Sequence, residues 1–132
     1  MNRFLLDTSA LIRFLKGREP AVSIIAGLLA EGAQLGACAV TVAEFYAGVP
    51  RGENARWDVF IDSLAYWETP RDVAELGGEY RRAFRRQGVS LSATDTLVAA
   101  VARAQTAAVV TENAKDFPMS DIEVVPLLPG RR

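Results

Sequence analysis

Four acidic residues of this chain stand at the ends of hydrophobic segments, where a carboxylate is costly to bury. They are Asp7 in FLLDTSALI, Glu44 in AVTVAEFYAG, Asp95 in LSATDTLVAAVA and Asp116 in VVTENAKDF. A carboxylate beside a hydrophobic core loses its hydration unless a positive group neutralises it. If the fold gathers these four, a hard divalent cation such as Mg²⁺ or Mn²⁺ is the natural neutraliser. The pattern therefore indicates metal-dependent phosphoryl chemistry.

The composition narrows the possible mechanisms further. The chain has no histidine and a single cysteine, Cys38. Ser-His-Asp and Cys-His nucleophiles are therefore excluded, as is acid–base catalysis by a histidine pair. A structural zinc site would need more Cys or His ligands, and an intramolecular disulfide cannot form. We expect an intracellular, reducing environment.

The charge balance and hydropathy are those of an ordinary globular domain. Fifteen basic and 16 acidic residues give a net charge of −1, so any nucleic-acid binding needs a local basic patch. The apolar stretch 97–110 contains Arg103 and Gln105 and is shorter than the roughly 20 apolar residues that span a bilayer. The N-terminal segment, broken by Asp7 and Arg13, lacks the pattern of a signal peptide. We expect a soluble, cytoplasmic protein that does not contact membranes.

The hydrophobic pattern predicts strands alternating with helices. Short apolar runs predict strands at 3–6, 35–39, 66–69, 108–110 and 123–125. Apolar residues three and four apart predict the helices between them, the longest over 71–87 and the strongest over 92–106. This order indicates one α/β domain over 1–132, with a short parallel sheet flanked by helices on both faces. Sites in such folds form at the carboxyl ends of the strands. The final Pro-Gly-Arg-Arg is predicted to fray.

Each acidic residue also has a purely structural interpretation. Asp7 could cap a helix, and Glu44 lies three residues after Thr41, as in a T-x-x-E capping box. Asp95 could be a first-turn residue favoured by the helix dipole. Asp116 could be a solvated turn residue. For each residue taken alone, these alternatives remain open.

Taken together, the motifs resemble those of the PIN-domain ribonucleases, specifically the VapC-type toxins of bacterial and archaeal toxin–antitoxin pairs. The resemblance spans the whole chain. It is carried by the opening D-T-S, by T-x-x-E-x-x-x-G around Glu44, by D-x-L-x-A-A-x-A from Asp95, and by VVTENAKDF. By position, Asp7, Glu44 and Asp95 match three acids of the family.

The fourth acid of the family has two candidates here. The last motif contains Thr111, Asn113 and Asp116 before Phe117. Asn113 occupies a place that is acidic in some members of the family. The resemblance therefore implies that Asp116 is the fourth acid, with Thr111 and Asn113 as polar helpers.

The resemblance implies a sandwich of helices around a short parallel sheet, with the acids in one pocket. It also implies hydrolysis of RNA phosphodiester bonds, with one or two Mg²⁺ or Mn²⁺ ions held by Asp7 and Asp95 and helped by Glu44 and Asp116. The metal would activate a water and stabilise charge in the transition state.

Further residues follow from that mechanism. Thr8 and Ser9 could donate hydrogen bonds to a ligand or phosphate. The arginines at the end of the predicted 71–87 helix could hold the RNA backbone, although such clusters are more often a solvated face. These are Arg82, Arg85 and Arg86. The expected partners are an RNA substrate, a small antitoxin and a second copy of the chain, with dimerisation through the aromatic 57–67 region.

Two other classes of protein begin with a strand-end aspartate. A phosphatase of the haloacid dehalogenase type uses D-x-D, and here the third position is Ser9. A non-catalytic receiver domain that accepts a phosphoryl group would need an acidic pair after the first strand and a lysine after the last. Neither pattern is present, so both are weaker alternatives.

Overall fold

The computed structural model describes residues 2–127, so the tail predicted to fray lies outside the described residues. Strands and helices alternate along the chain. The strands are β1 (Arg3–Leu6), β2 (Gln34–Cys38), β3 (Ala65–Trp67), β4 (Ala108–Thr111) and β5 (Val124–Pro126). The helices are α1 (Thr8–Leu15), α2 (Ala21–Ala30), α3 (Ala39–Gly48), α4 (Ala55–Ser63), α5 (Arg71–Arg86) and α6 (Ala93–Ala104), and a 3₁₀ turn covers Ala114–Asp116.

The five strands form one parallel sheet in the order β3-β2-β1-β4-β5. Alternate residues of its central strands face opposite sides, as the pleat requires. Leu5 packs into a cluster that includes residues of α5 and α6. Phe4 and Leu6 pack into a second cluster with residues of α1 to α4. Both faces of the sheet are therefore covered, and the predicted α/β fold is confirmed.

The strand order contains one reversal of direction. The chain runs outward from β1 through β2 to β3, and then crosses to the other side of β1 to form β4. Ligands in open parallel sheets bind where the order reverses, beyond the carboxyl ends of the strands. Leu6 pairs with Val110 across this point, and the backbone N–H of Asp7 donates to the carbonyl of Val110 at 3.1 Å. The residues that follow β1 and β4 are thus brought side by side.

The start of α3 differs from the predicted capping box. The N-cap is Cys38, and Thr41 is the third helical residue; its hydroxyl accepts the Cys38 N–H at 3.0 Å. Thr41 therefore reaches back to the cap instead of being the cap, because α3 follows β2 without a loop. The capping-box interpretation of Glu44 is wrong, which removes the structural alternative for this acid.

The remaining boundaries shift by a few residues. The predicted strand at 66–69 is Ala65–Trp67, and Pro70 precedes α5 directly. The predicted helix at 92–106 is Ala93–Ala104, capped by the Ser92 hydroxyl, which accepts the Asp95 N–H at 3.1 Å. Within residues 2–127, no helix combines the length and the apolar character needed to cross a bilayer.

Candidate active site

Asp7 is the N-cap of α1 and lies at the reversal of the strand order. Its side chain is only 8% exposed. Oδ1 accepts two hydrogen bonds, from the Ser9 hydroxyl at 2.7 Å and from the Ala10 N–H at 3.0 Å. Burial raises the pKa of Asp7, while hydrogen bonds from Ser9, Thr111 and the local backbone oppose that rise. The capping role is thus real, but it does not account for the burial of an acid that forms no salt bridge within residues 2–127.

A hydroxyl network joins Asp7 to the end of β4. The Ser9 and Thr111 hydroxyl oxygens are 3.4 Å apart, and Ser9 also accepts the Glu112 N–H at 3.1 Å. Thr111 is fully buried and accepts the Asn113 N–H at 2.9 Å. Ser9 and Thr111 therefore fix both the Asp7 carboxylate and the turn after β4. Asn113 contributes its backbone to this turn, and its side chain is exposed.

Glu44 is held by the residue next to Asp7. It lies on the exposed side of α3, and its Oε1 accepts the Thr8 hydroxyl at 2.8 Å. This bond connects α1 to α3 across 36 residues of sequence. Both hydroxyls of the D-T-S motif thus donate to carboxylates of the predicted acid set.

Asp95 lies in the first turn of α6 and is partly buried. Burial is the main reason that the pKa of Asp95 is raised, and a hydrogen bond with Ser92 opposes it. The negative charges of Asp116, Asp7 and Glu44 raise the Asp95 pKa further. The other three predicted acids therefore lie near enough to Asp95 for their charges to act on it. The 3₁₀ turn after β4 positions Asp116.

The donor set suits a hard divalent cation, although it does not form a closed cage. Among residues 2–127, no three acidic or cysteine side chains converge tightly enough to hold a metal ion by themselves. Mg²⁺ commonly keeps several waters and is bound by one or two carboxylates together with substrate phosphates. The buried Asp7 and the partly buried Asp95 and Asp116, with the exposed Glu44, provide oxygen ligands of that kind.

The arginines that were predicted to bind RNA do not line the cleft beside Asp7. Arg82, Arg85 and Arg86 are exposed on α5. The cleft has a volume of about 480 Å³. It is lined by Thr8, Ser9, Ile12, Arg13, Lys16, Arg18, Glu44 and Glu112.

Four charged residues of this cleft were not predicted from the sequence: Arg13, Lys16, Arg18 and Glu112. Two signals were present. Arg13 lies four residues after Ser9 and therefore on the same face of α1. Glu112 directly follows β4, at the strand end where a site was expected.

The comparison with known proteins decides the family. The model of the PIN domain family matches residues 4–122. This chain is a PIN-domain protein. Ribonuclease VapC19 from Mycobacterium tuberculosis is 30% identical over 115 residues, which cover 87% of this chain and 92% of that protein. The predicted resemblance to VapC-type PIN proteins is therefore confirmed.

Solved structures share the fold of this PIN domain. A chain of VapBC2 from Rickettsia felis, crystallised with a DNA fragment from its promoter, superposes with a TM-score of 0.79 at 21% identity. The match covers 94% of this chain and 98% of that one. A chain of FitAcB from Neisseria gonorrhoeae gives a TM-score of 0.70 at 24% identity, covering 92% and 95% of the two chains. The parallel sheet and its helices are thus the architecture of PIN domains.

Proposed function

We propose that this PIN-domain protein is a divalent-metal-dependent endoribonuclease and the toxin of a toxin–antitoxin pair. The observation that carries the proposal is the position of Asp7 at the reversal of the strand order, with Glu44 bonded to the adjacent Thr8 and with Asp95 near enough to feel the charges of Asp7, Glu44 and Asp116. The 30% identical relative, which is named a ribonuclease, supports RNA as the substrate. A bound cation stabilises the negative charge that develops on the phosphate during phosphodiester hydrolysis. The carboxylates of this site would attract such a cation.

Asp7 and Asp95 would hold Mg²⁺ or Mn²⁺, helped by Glu44 and Asp116. When bound, the cation would polarise the scissile phosphate and make a water nucleophilic near neutral pH. The oxygen of Asp7 that accepts from Ser9 and Ala10 is fixed in position. Burial then keeps bulk water away from this carboxylate. The absence of histidine from the sequence is consistent with a mechanism of this kind.

The hydroxyl residues would orient the acids. Ser9 holds Asp7, and Thr8 holds Glu44. Thr111 holds the turn that leads to Asp116 through its bond with the Asn113 N–H. Side chains that orient metal ligands in this way raise metal affinity and activity by about 10- to 100-fold. We therefore propose that these residues orient the acids and do not bind the metal themselves. They are Thr8, Ser9, Thr111 and Asn113.

An antitoxin would silence this site by supplying its own cation. An arginine from a partner can make bidentate hydrogen bonds to a carboxylate and would compete with both metal and phosphate. The partner would also cover apolar surface between α1 and α4, where Phe14 packs on Phe60 with ring centroids 4.9 Å apart. The R. felis structure, a VapBC complex, supports the expectation of a protein partner.

We also propose that the protein forms a homodimer through the 57–67 region. Val59 is 67% exposed and Tyr66 is 56% exposed, and both are large hydrophobic side chains. Arg82, Arg85 and Arg86 are retained as candidates for contact with the RNA backbone. We propose the cytoplasm as the place of action and a single PIN domain over 1–132 as the organisation.

The experiment that tests the function is cleavage of structured RNA with Mn²⁺, with Mg²⁺ and with chelator. The two weaker alternatives are tested on the same preparation. A phosphatase would release phosphate from a small ester, and a receiver domain would form a stable aspartyl phosphate. RNA cleavage that needs the metal and is absent from the Asp95→Asn variant would support the endoribonuclease.

A further inference from the structure

One cleft next to the acid set is lined by both acidic and basic side chains. Thr8 and Glu44, which line it, belong to the candidate active site. Arg13, Lys16 and Arg18 line the same cleft. A cation-lined channel beside a site for phosphodiester hydrolysis has the charge pattern expected for a chain of phosphates.

The helix α1 makes this arrangement. Ser9, Arg13 and Lys16 are spaced by four and three residues, so they fall along one face. The seven-residue separation from Ser9 to Lys16 corresponds to about 10 Å along the axis, at roughly 1.5 Å per residue. Asp7 caps the near end of the same helix. Arg13 and Lys16 therefore follow Asp7 within the length of one short helix, and Arg13 reaches the turn after β4 through Glu112.

Arg13 is the most constrained of the three cations. Its Nη1 pairs with Oε2 of Glu112 at 3.0 Å, and the two side chains are only 26% and 28% exposed. Its Nε is buried and has no hydrogen-bond partner among the described residues. A guanidinium has five donors in a planar fork that suits the oxygens of a phosphate. The pair with Glu112 thus leaves part of that fork unused.

We infer that Arg13, Lys16 and Arg18 form a subsite for an RNA phosphate next to the scissile one, and that Glu112 restrains it by pairing with Arg13. The inference rests on the proposed function for the identity of the ligand. Binding would exchange the Glu112 carboxylate for a phosphate at the Arg13 guanidinium. Phosphate contacts of this kind position the substrate without reading its sequence.

If Glu112 restrains Arg13, removing the Glu112 carboxylate should raise the affinity for RNA. Glu112→Gln frees Arg13 and removes a negative charge from the path of the RNA. We expect about a two- to fivefold gain in RNA affinity, the range of a partly exposed ion pair. Arg13→Gln should weaken binding on the order of tenfold, the value of one charge-assisted hydrogen bond.

The probe is a short, labelled, single-stranded RNA of mixed sequence, and its binding is followed by fluorescence anisotropy. The full chain carries Asp95→Asn and the buffer contains chelator, so no cleavage occurs. The exposed pair Lys16→Gln and Arg18→Gln provides variants that do not disturb the core. Each cation that meets a phosphate should reduce the slope of log affinity against log salt by about 0.7.

The matched control is Arg3→Gln, which removes one charge at the amino end of β1. The candidate site lies beyond the carboxyl end of this strand. The Arg3 guanidinium donates to the side-chain oxygen of the half-buried Gln105 at 2.9 Å. This variant should bind RNA like the parent. Equal losses in Arg3→Gln and the cleft variants would mean that net charge alone is measured, and would overturn the subsite.

A double variant separates phosphate binding from simple repulsion by Glu112. If Arg13 holds a phosphate, Arg13→Gln combined with Glu112→Gln should stay weaker than Glu112→Gln alone by about tenfold. If Arg13 only neutralises Glu112, the double variant should bind as well as Glu112→Gln. The second result would overturn the assignment of Arg13.

The outcomes also separate this subsite from the proposed activity. If the parent chain fails to cleave RNA with Mn²⁺ while the cleft variants lose RNA binding, the subsite stands and the activity fails. If the parent cleaves and the cleft variants bind and cleave normally, the subsite is refuted. Variants that handle RNA normally but escape inhibition by a co-expressed antitoxin would assign the cleft to a protein partner, which also refutes it.

Discussion

The Thr8 hydroxyl donates a 2.8 Å hydrogen bond to Oε1 of Glu44. Thr8 belongs to the motif that follows β1, and Glu44 lies on α3, so this bond joins two separate parts of the candidate site. Its direction also matters. A hydroxyl that donates to Glu44 holds the carboxylate in position, whereas the cap of α3 is made by Cys38 and Thr41.

We predict that Thr8→Val reduces RNA cleavage by about 10- to 100-fold, the usual effect of losing a residue that orients a metal ligand. Thr8→Ser keeps the hydroxyl and should remain close to the parent. Metal dependence of cleavage is the measurement, and the Mn²⁺ concentration for half activity should rise in Thr8→Val. Equal activity of the valine and serine variants would show that the bond has no part in the reaction.

We predict that Asp7→Asn abolishes cleavage and leaves the metal-free protein as stable as the parent or more stable. The asparagine oxygen can still accept from Ser9 and Ala10, so the cap of α1 survives. The buried charge, however, is removed. Thermal midpoints with chelator measure the effect. A midpoint well below that of the parent would show that Asp7 stabilises the fold through its charge.

The stability difference should depend on pH with a definite sign. The folded-state pKa of Asp7 is raised, so the folded chain holds a proton that the unfolded chain releases above about pH 4. The stability that this proton contributes is present below about pH 4 and is lost as pH rises through the folded pKa. The advantage of Asp7→Asn should therefore be greatest near neutral pH and vanish in acid. A constant difference would contradict this cause.

We predict that Glu44→Gln is severe, with a loss of about 100-fold or more in cleavage, and that Asp116→Asn is milder. The Glu44 side chain is held by a hydrogen bond from Thr8, whereas Asp116 lies in a short 3₁₀ turn. Rates at saturating Mn²⁺ compare the two. A dead Asp116→Asn beside an active Glu44→Gln would reverse the ranking.

We predict that expression of this chain alone arrests growth and that co-expression of its antitoxin restores growth. The purified protein should be a dimer by light scattering, and Val59→Glu should shift it toward monomer because Val59 is exposed in the 57–67 region. The growth assay with Asp95→Asn is the control for toxicity. A folded, monomeric and harmless parent would refute both the toxin and the dimer.

The fold could be predicted, and the acid set could be proposed, because their signals are local or repeated. Leu5 and Val109 lie in apolar runs whose burial on both faces marks a parallel strand. Asp7 and Asp95 stand at the starts of helices, in motifs that a family resemblance identifies. The order β3-β2-β1-β4-β5 was not predicted, since it depends on long-range pairing.

The interior of the site was harder to predict because it depends on pairs that are distant in sequence. Ser9 and Thr111 are 102 residues apart, and neither motif predicts a contact with the other. The same holds for Arg13 and Glu112, whose pairing appears once α1 is placed beside the end of β4. The capping-box error has a similar cause, because T-x-x-E is a local pattern and Glu44 is bound by Thr8 on another helix.

The most direct test of the acid set is the cleavage of structured RNA by the parent chain and by Asp95→Asn, each with Mn²⁺ and with chelator. We predict that the parent cleaves only when Mn²⁺ is present and that Asp95→Asn does not cleave, with both proteins folded by circular dichroism. Cleavage by folded Asp95→Asn at the parent rate, or by the parent in chelator, would contradict the assignment of the acid set.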